Sequence, residues 1–126
     1  MIKRTEEEKN KWVKELKQRI KSWVIRVLSL CETLPNNTTT RVINFQLIKS
    51  ASSTGANHRA SCRARSDKEF FAKMSIALEE ADESQYWLEI IEAKQIPCNQ
   101  TELQFLLKEI DEFVRIFAKA RLNTKR

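Results

Sequence analysis

Glycine and proline are nearly missing from this chain, with one Gly and two Pro in 126 residues. Sandwiches, barrels and glycine-rich phosphate cradles need turn residues in number, so this scarcity excludes them. There is one His, and the three Cys show no Cys-x-x-Cys spacing and cannot all pair, which argues against a disulfide framework. No stretch approaches the ~18 uncharged apolar residues of a membrane span. The N-terminus, Met1 to Lys11, is highly charged and has no apolar core of a leader. These absences lead to the expectation of a soluble, cytoplasmic protein with no membrane role.

What the chain does have is helical periodicity, in four segments. In the first, about residues 5–34, Leu16, Ile20, Trp23, Val27, Leu30 and Leu34 alternate steps of four and three, a heptad seam. Thr5 followed by Glu8 reads as a capping box, and Pro35 stops the helix. The second, about residues 39–64, places Phe45, Ile48, Ser52, Gly55, Arg59 and Cys62 on one stripe. Its middle, Ser50 to Ala56, is made of small residues. A Ser-rich hinge is the alternative, but two halves this short would each lack a core, so the spacing predicts a helix that lets neighbours approach closely. The third, about residues 67–95, begins at a second capping box, Ser66 with Glu69. It carries Phe70, Met74, Ala77, Ala81, Ser84, Leu88 and Ile91 in register. The fourth, about residues 101–122, carries Leu103, Leu106, Ile110, Phe113 and Phe117. The expected fold is all-α: a single domain over residues 1–126, an antiparallel up-down-up-down four-helix bundle with long helices and short loops.

Charge is unevenly distributed. Residues 1–34 carry 9 basic and 5 acidic side chains, residues 35–66 carry 5 and none, residues 67–97 carry 3 and 8, and residues 98–126 carry 6 and 4. The second helix is purely basic and the third strongly acidic. Pairs such as Arg59 or Arg63 with Glu79, Glu80 or Glu83 are therefore expected to fix register between them. The bundle topology gathers a basic end, for which the expected nucleic-acid-binding residues are Arg63, Arg65, Lys119, Arg121, Lys125 and Arg126. A second basic row, Lys14, Lys17 and Lys21, follows one face of the first helix; a solvated face is the plainer reading of it.

Chemistry-bearing constellations are scarce. His58 and Cys62 stand one helical turn apart and could share a metal, but the other two cysteines belong at the opposite end. The carboxylates Glu79, Glu80, Asp82 and Glu83 lack the His partners of a di-iron bundle. No P-loop, dinucleotide fingerprint or HExxH stands in the chain. The expectation is a non-enzymatic protein with no catalytic residue, no metal and no cofactor. Apolar side chains beyond the seams, notably Phe71, Ile76, Leu78, Tyr86, Trp87 and Ile90 on the third helix, suggest a further surface to bury, most simply in a homo-oligomer.

Residues Gln46 to Ala60, QLIKSASSTGANHRA, resemble the second helix of the four-helix-bundle proteins encoded in intervening sequences of large-subunit ribosomal RNA genes. Ser66 to Phe70, Ile76 to Ser84 and Tyr86 to Leu88 are similar to that family's third helix, and the similarity spans about residues 15–120. The family carries no enzymatic signature. It is related to the accessory variability determinant of diversity-generating retroelements, a basic bundle that forms a pentamer and binds nucleic acid and a reverse transcriptase. The resemblance thus implies a homopentamer, nucleic-acid binding and a reverse transcriptase as a partner; with no recognition-helix module or stacking sheet visible in the sequence, RNA or DNA is expected to be bound without sequence specificity. The competing expectation is a protein–protein scaffold whose basic end meets an acidic protein.

Overall fold

Every helix starts at a side-chain cap. In the computed structural model, which describes residues 4–124, the helices are α1 (Glu6–Thr33), α2 (Thr38–Cys62), α3 (Asp67–Ala93) and α4 (Gln100–Leu122). Thr5, Asn37, Ser66 and Asn99 each accept the backbone N–H three residues on, at 2.9–3.1 Å. Each cap satisfies an amide that the first helical turn leaves unpaired. Acidic residues occupy the first turns of α1, α3 and α4, where the helix dipole favours them. At the end of α3, Gln95 takes a left-handed φ of 58°. The Ile96 N–H then reaches back to the Ile91 carbonyl at 3.1 Å, closing the helix in the manner of a Schellman turn just before Pro97.

Side-chain contacts fix an antiparallel register. Between α3 and α4, Ser75 meets Arg121, Gln85 meets Asp111 and Glu92 meets Gln104. Position falls on one helix as it rises on the other. Between α1 and α4, Arg26 meets Glu102, and Arg19 meets Glu109 and Glu112. Cys31 of α1 receives the Asn44 amide of α2 at its carbonyl, and Ser84 of α3 donates to Ser50 of α2 at 2.8 Å. The helices form the expected bundle in the order α1, α2, α3, α4 around its axis. The seams of α1, α3 and α4 follow the expected register: Trp23, Val27, Ala77, Ala81, Leu88, Leu103, Ile110, Phe113 and Phe117 are fully enclosed, while Phe70, at the start of α3, is only partly buried. Trp23 packs edge-on against Phe113 and donates its indole N–H to the Leu106 carbonyl.

The stripe of α2 is not the expected one. Ile43, Leu47, Ser50, Ala51, Thr54, His58 and Ser61 face the core, while Phe45 is 66% exposed and Ile48, Ser52 and Arg59 are also exposed. The reason is the partner helix. Ala77, Ala81 and Ser84 bring α3 close, and only small side chains of α2 fit beneath them. The helix is continuous through Ser50 to Ala56, with no hinge. The buried hydroxyls of Ser50 and Thr54 are satisfied by carbonyls one turn back. The surplus apolar residues of α3 are also partly absorbed: Leu78, Trp87 and Ile90 pack on the core edge, leaving Ile76 and Tyr86 exposed.

The expected α2–α3 ion pairs do not form among the described residues. The Ser50–Ser84 contact places Arg59 level with residue ~75 of α3, so Glu83 lies roughly 12 Å further along the axis at 1.5 Å per residue. The inter-helix bridges run instead from α1 to α4. Arg19 forks onto Glu109 and Glu112, with contacts of 2.7 Å, and Arg26 holds Glu102. Hydrogen bonds from Arg19 and Arg26 hold the Glu112 and Glu102 carboxyls below the usual carboxylate range.

Gly55 lies inside α2 where it crosses α1. A Cβ built there would stand 3.0 Å from Val24 Cγ2. Gly55→Leu therefore crowds Val24 at the crossing, and is expected to cost about 1–3 kcal/mol by overpacking. Urea unfolding measures it; an unchanged midpoint would show that the crossing is loose.

Candidate nucleic-acid interface

The α1–α2 crossing leaves a groove on the side of α2 that the small residues Ser52, Gly55 and Ala56 line. Its volume is about 500 Å³. Ile20, Val24 and Ile25 of α1 supply the opposite apolar wall. Four cations fence it: Lys17 and Lys21 from α1, Arg59 and Arg63 from α2. Members of each pair are four residues apart, which aligns them on one helix face, roughly 6 Å apart along the axis. No carboxylate stands among the twelve lining residues. None of the four cations makes an ion pair among the described residues, in contrast to Arg19, Arg26 and Arg115, which do. The basic charge of α1 is thus neutralised on the α4 side and left open on the α2 side.

His58 forms the inner end of the groove. It is 4% exposed, stacks on Phe117 with ring centroids 5.3 Å apart, and sits with Nε2 3.8 Å from Cys62 Sγ. Burial, then the nearby Lys17 charge, push its pKa down to about 4. Burial pushes the Cys62 thiol up, against the opposing pull of Lys17 and Arg63. Cys31 is pushed up to about 12, by burial and then by Glu32. All three thiols, Cys98 included, are shifted away from the nucleophilic thiolate. Among the described residues no group of three His, Cys, Asp or Glu side chains could hold a metal ion, and no helix is long and apolar enough to cross a membrane.

The expected site residues divide between two sides of the bundle. Arg63 caps α2 and belongs to the groove. Arg65 is 87% exposed and pairs with Glu69 at 3.5 Å. Lys119 is exposed in the last turn of α4. Arg121 turns the other way, into the α3–α4 seam, where it donates to Ser75 Oγ at 2.7 Å and lies over the Phe71 ring at 4.4 Å. Lys125 and Arg126 lie outside the described residues. Two lysines of the basic row of α1, Lys17 and Lys21, stand across the groove from Arg59 and Arg63, while Lys14 is exposed one turn away. Correct facing of α2 was the missing signal, because on the expected stripe Arg59 pointed at the core.

Residues 14–119 match a family model described as 23S rRNA-intervening sequence protein. The fold is similar to a crystal structure, at 1.70 Å resolution, of a protein of unknown function from the S23 ribosomal protein family of Bacteroides thetaiotaomicron VPI-5482. The TM-score is 0.75 with 26% sequence identity, covering 88% of this chain and 98% of that one. No curated protein matches the chain.

Proposed function

This chain belongs to the 23S rRNA-intervening sequence protein family, and on that premise we propose that it is a non-enzymatic, oligomeric protein that binds nucleic acid through its phosphates. One observation carries the reading: the α1–α2 groove is lined by four cations, unpaired among the described residues, and by no carboxylate among them. Lys and Arg on a concave surface concentrate positive potential and gain affinity by releasing counterions from a nucleic acid. Lys119, in the last turn of α4, and Arg65, which is paired with Glu69, stand at the same end of the bundle as Arg63. Among the described residues no recognition helix or stacking sheet is present, so binding is expected to follow charge and shape more than base sequence.

The test is fluorescence anisotropy of a labelled RNA across salt concentrations. Four contacts to a single strand give a slope near −3 in log affinity against log salt, so that raising salt from 50 to 200 mM weakens binding by about 50-fold. Absence of binding at low salt would hand the basic surface to an acidic protein partner.

Self-association is the second part of the proposal. Val42, Phe45 and Ile48 leave large apolar side chains in solvent on α2, a patch that a second copy of the chain would cover. Five subunits, the number the resemblance suggests, would weigh about 74 kDa from a 14.8 kDa chain; light scattering at micromolar concentration measures it, and a monomer mass would overturn the assembly. The resemblance to retroelement accessory proteins would add a reverse transcriptase as the enzyme that such a complex serves. A reverse transcriptase gene beside this one would support that role.

A further inference from the structure

We propose that the α1–α2 groove takes an unpaired nucleotide, base inward, so that the protein prefers single-stranded nucleic acid to duplex. The inference rests on the nucleic-acid reading above and goes beyond it in naming the form of the ligand. Phosphate binding alone needs only surface cations. This groove adds a concave floor that phosphates cannot use: the small side chains Ser52, Gly55 and Ala56 face Ile20 and Val24. Its volume of about 500 Å³ falls in the range of small-ligand pockets, roughly 300–1,000 Å³. The flat apolar faces of a base fit such a floor, and its edge meets the Ser52 hydroxyl and the Gln18 amide at the rim.

Hydroxyl and amide each offer both donor and acceptor, so they satisfy a base edge without selecting one base. Lys17, Lys21, Arg59 and Arg63 then lie on both sides of the inserted base, placed for the phosphates that flank it in the strand. Arginine also offers a planar guanidinium for stacking, which a lysine does not. A duplex cannot use the floor, because its bases are stacked and paired and its convex backbone meets only the fence of cations.

The experiment compares a short uridine oligonucleotide with an RNA duplex of equal strand length, on the full chain. The variants are Ala56→Leu and, separately, Ser52→Leu. Both positions are exposed on the groove side of a helix, so each leucine fills the floor without changing charge; thermal unfolding confirms that the bundle is intact. The expected result is tighter binding of the oligonucleotide than of the duplex by the native protein. Each variant then loses roughly tenfold toward the oligonucleotide, with duplex affinity and salt slope unchanged. Equal affinity for the two RNAs, or an oligonucleotide affinity untouched by both leucines, would overturn the inference and leave phosphate binding standing. Failure of the native protein to bind either RNA would overturn the underlying reading as well. A changed mass in light scattering on introducing the leucines would assign the groove to a second copy of the chain, and would equally overturn the inference.

Discussion

Replacing Lys17, Lys21, Arg59 and Arg63 together by Gln is expected to abolish most nucleic-acid affinity while leaving the bundle folded. Lys21, Arg59 and Arg63 are exposed and Lys17 is half-buried, with no ion pair to lose among the described residues. Removing four like charges from one groove relieves repulsion, and the formal net charge falls from +6 to +2. The salt slope should flatten by about 3, and affinity near 50 mM salt should fall on the order of a hundredfold. Arg41 and Lys94, at the other end of the bundle, are the control: their replacement by Gln should change the slope by less than one contact. An unchanged slope in the quadruple variant would place the binding surface elsewhere. Replacing Arg121 would be a poor test, because its guanidinium braces α4 against Ser75 and Phe71 of α3, and its loss costs packing as well as charge.

The second large effect is on stability below neutral pH. His58 is neutral in the fold, with its pKa lowered to about 4 from an ordinary 6.5. The unfolded chain takes up a proton near pH 6.5 and the folded one does not until near pH 4, so the unfolded state binds more protons throughout that window. Stability is then full above pH 6.5 and drains as pH falls toward 4, by about 3 kcal/mol in all. The surroundings resist protonation from each side: Phe117 of α4 stacks on the ring, Lys17 of α1 lies nearby, and Cys62 of α2 offers a weak acceptor at best. Urea unfolding of the native chain and of His58→Gln, at pH 7 and pH 5, measures the difference. The variant should lose the part of the slope that the histidine supplies, leaving that of the carboxylates, such as Glu102 and Glu112, which titrate lower. Equal slopes in both proteins would show that His58 is solvated.

The architecture was readable because α1 and α4 obey bulk hydrophobicity and the small residues Ala77, Ala81 and Ser84 of α3 keep the heptad spacing. The heptad positions of α1, from Leu16 to Leu34, and of α4, from Leu103 to Phe117, all lie inside. The caps at Thr5 and Ser66 were visible as Ser/Thr followed by Glu, and Asn37 and Asn99 cap α2 and α4 in the same way from the loops before them. α2 defeated the pattern because two stripes on it share the same spacing. Bulk favoured Phe45 and Ile48, whereas the close approach of Ala77 and Ala81 selected Ser50, Ala51 and Thr54. That single rotation carried the groove with it. It turned Arg59 out to stand opposite Lys17 and Lys21, which no one-dimensional reading of either helix could bring together. The α1–α4 bridges were hidden for a similar reason, since composition shows which segments carry opposite charge but not which helices, at which register, face each other.

Lysine footprinting tests the groove most directly. The native protein is treated with a lysine-acylating reagent, with and without saturating single-stranded RNA at low salt, and modification is read by mass spectrometry. Lys17 and Lys21 should be strongly protected by RNA, while Lys94 and Lys108, away from the groove, should react equally in both samples. Protection at Lys94 or Lys108 with Lys17 and Lys21 still fully reactive would contradict the account.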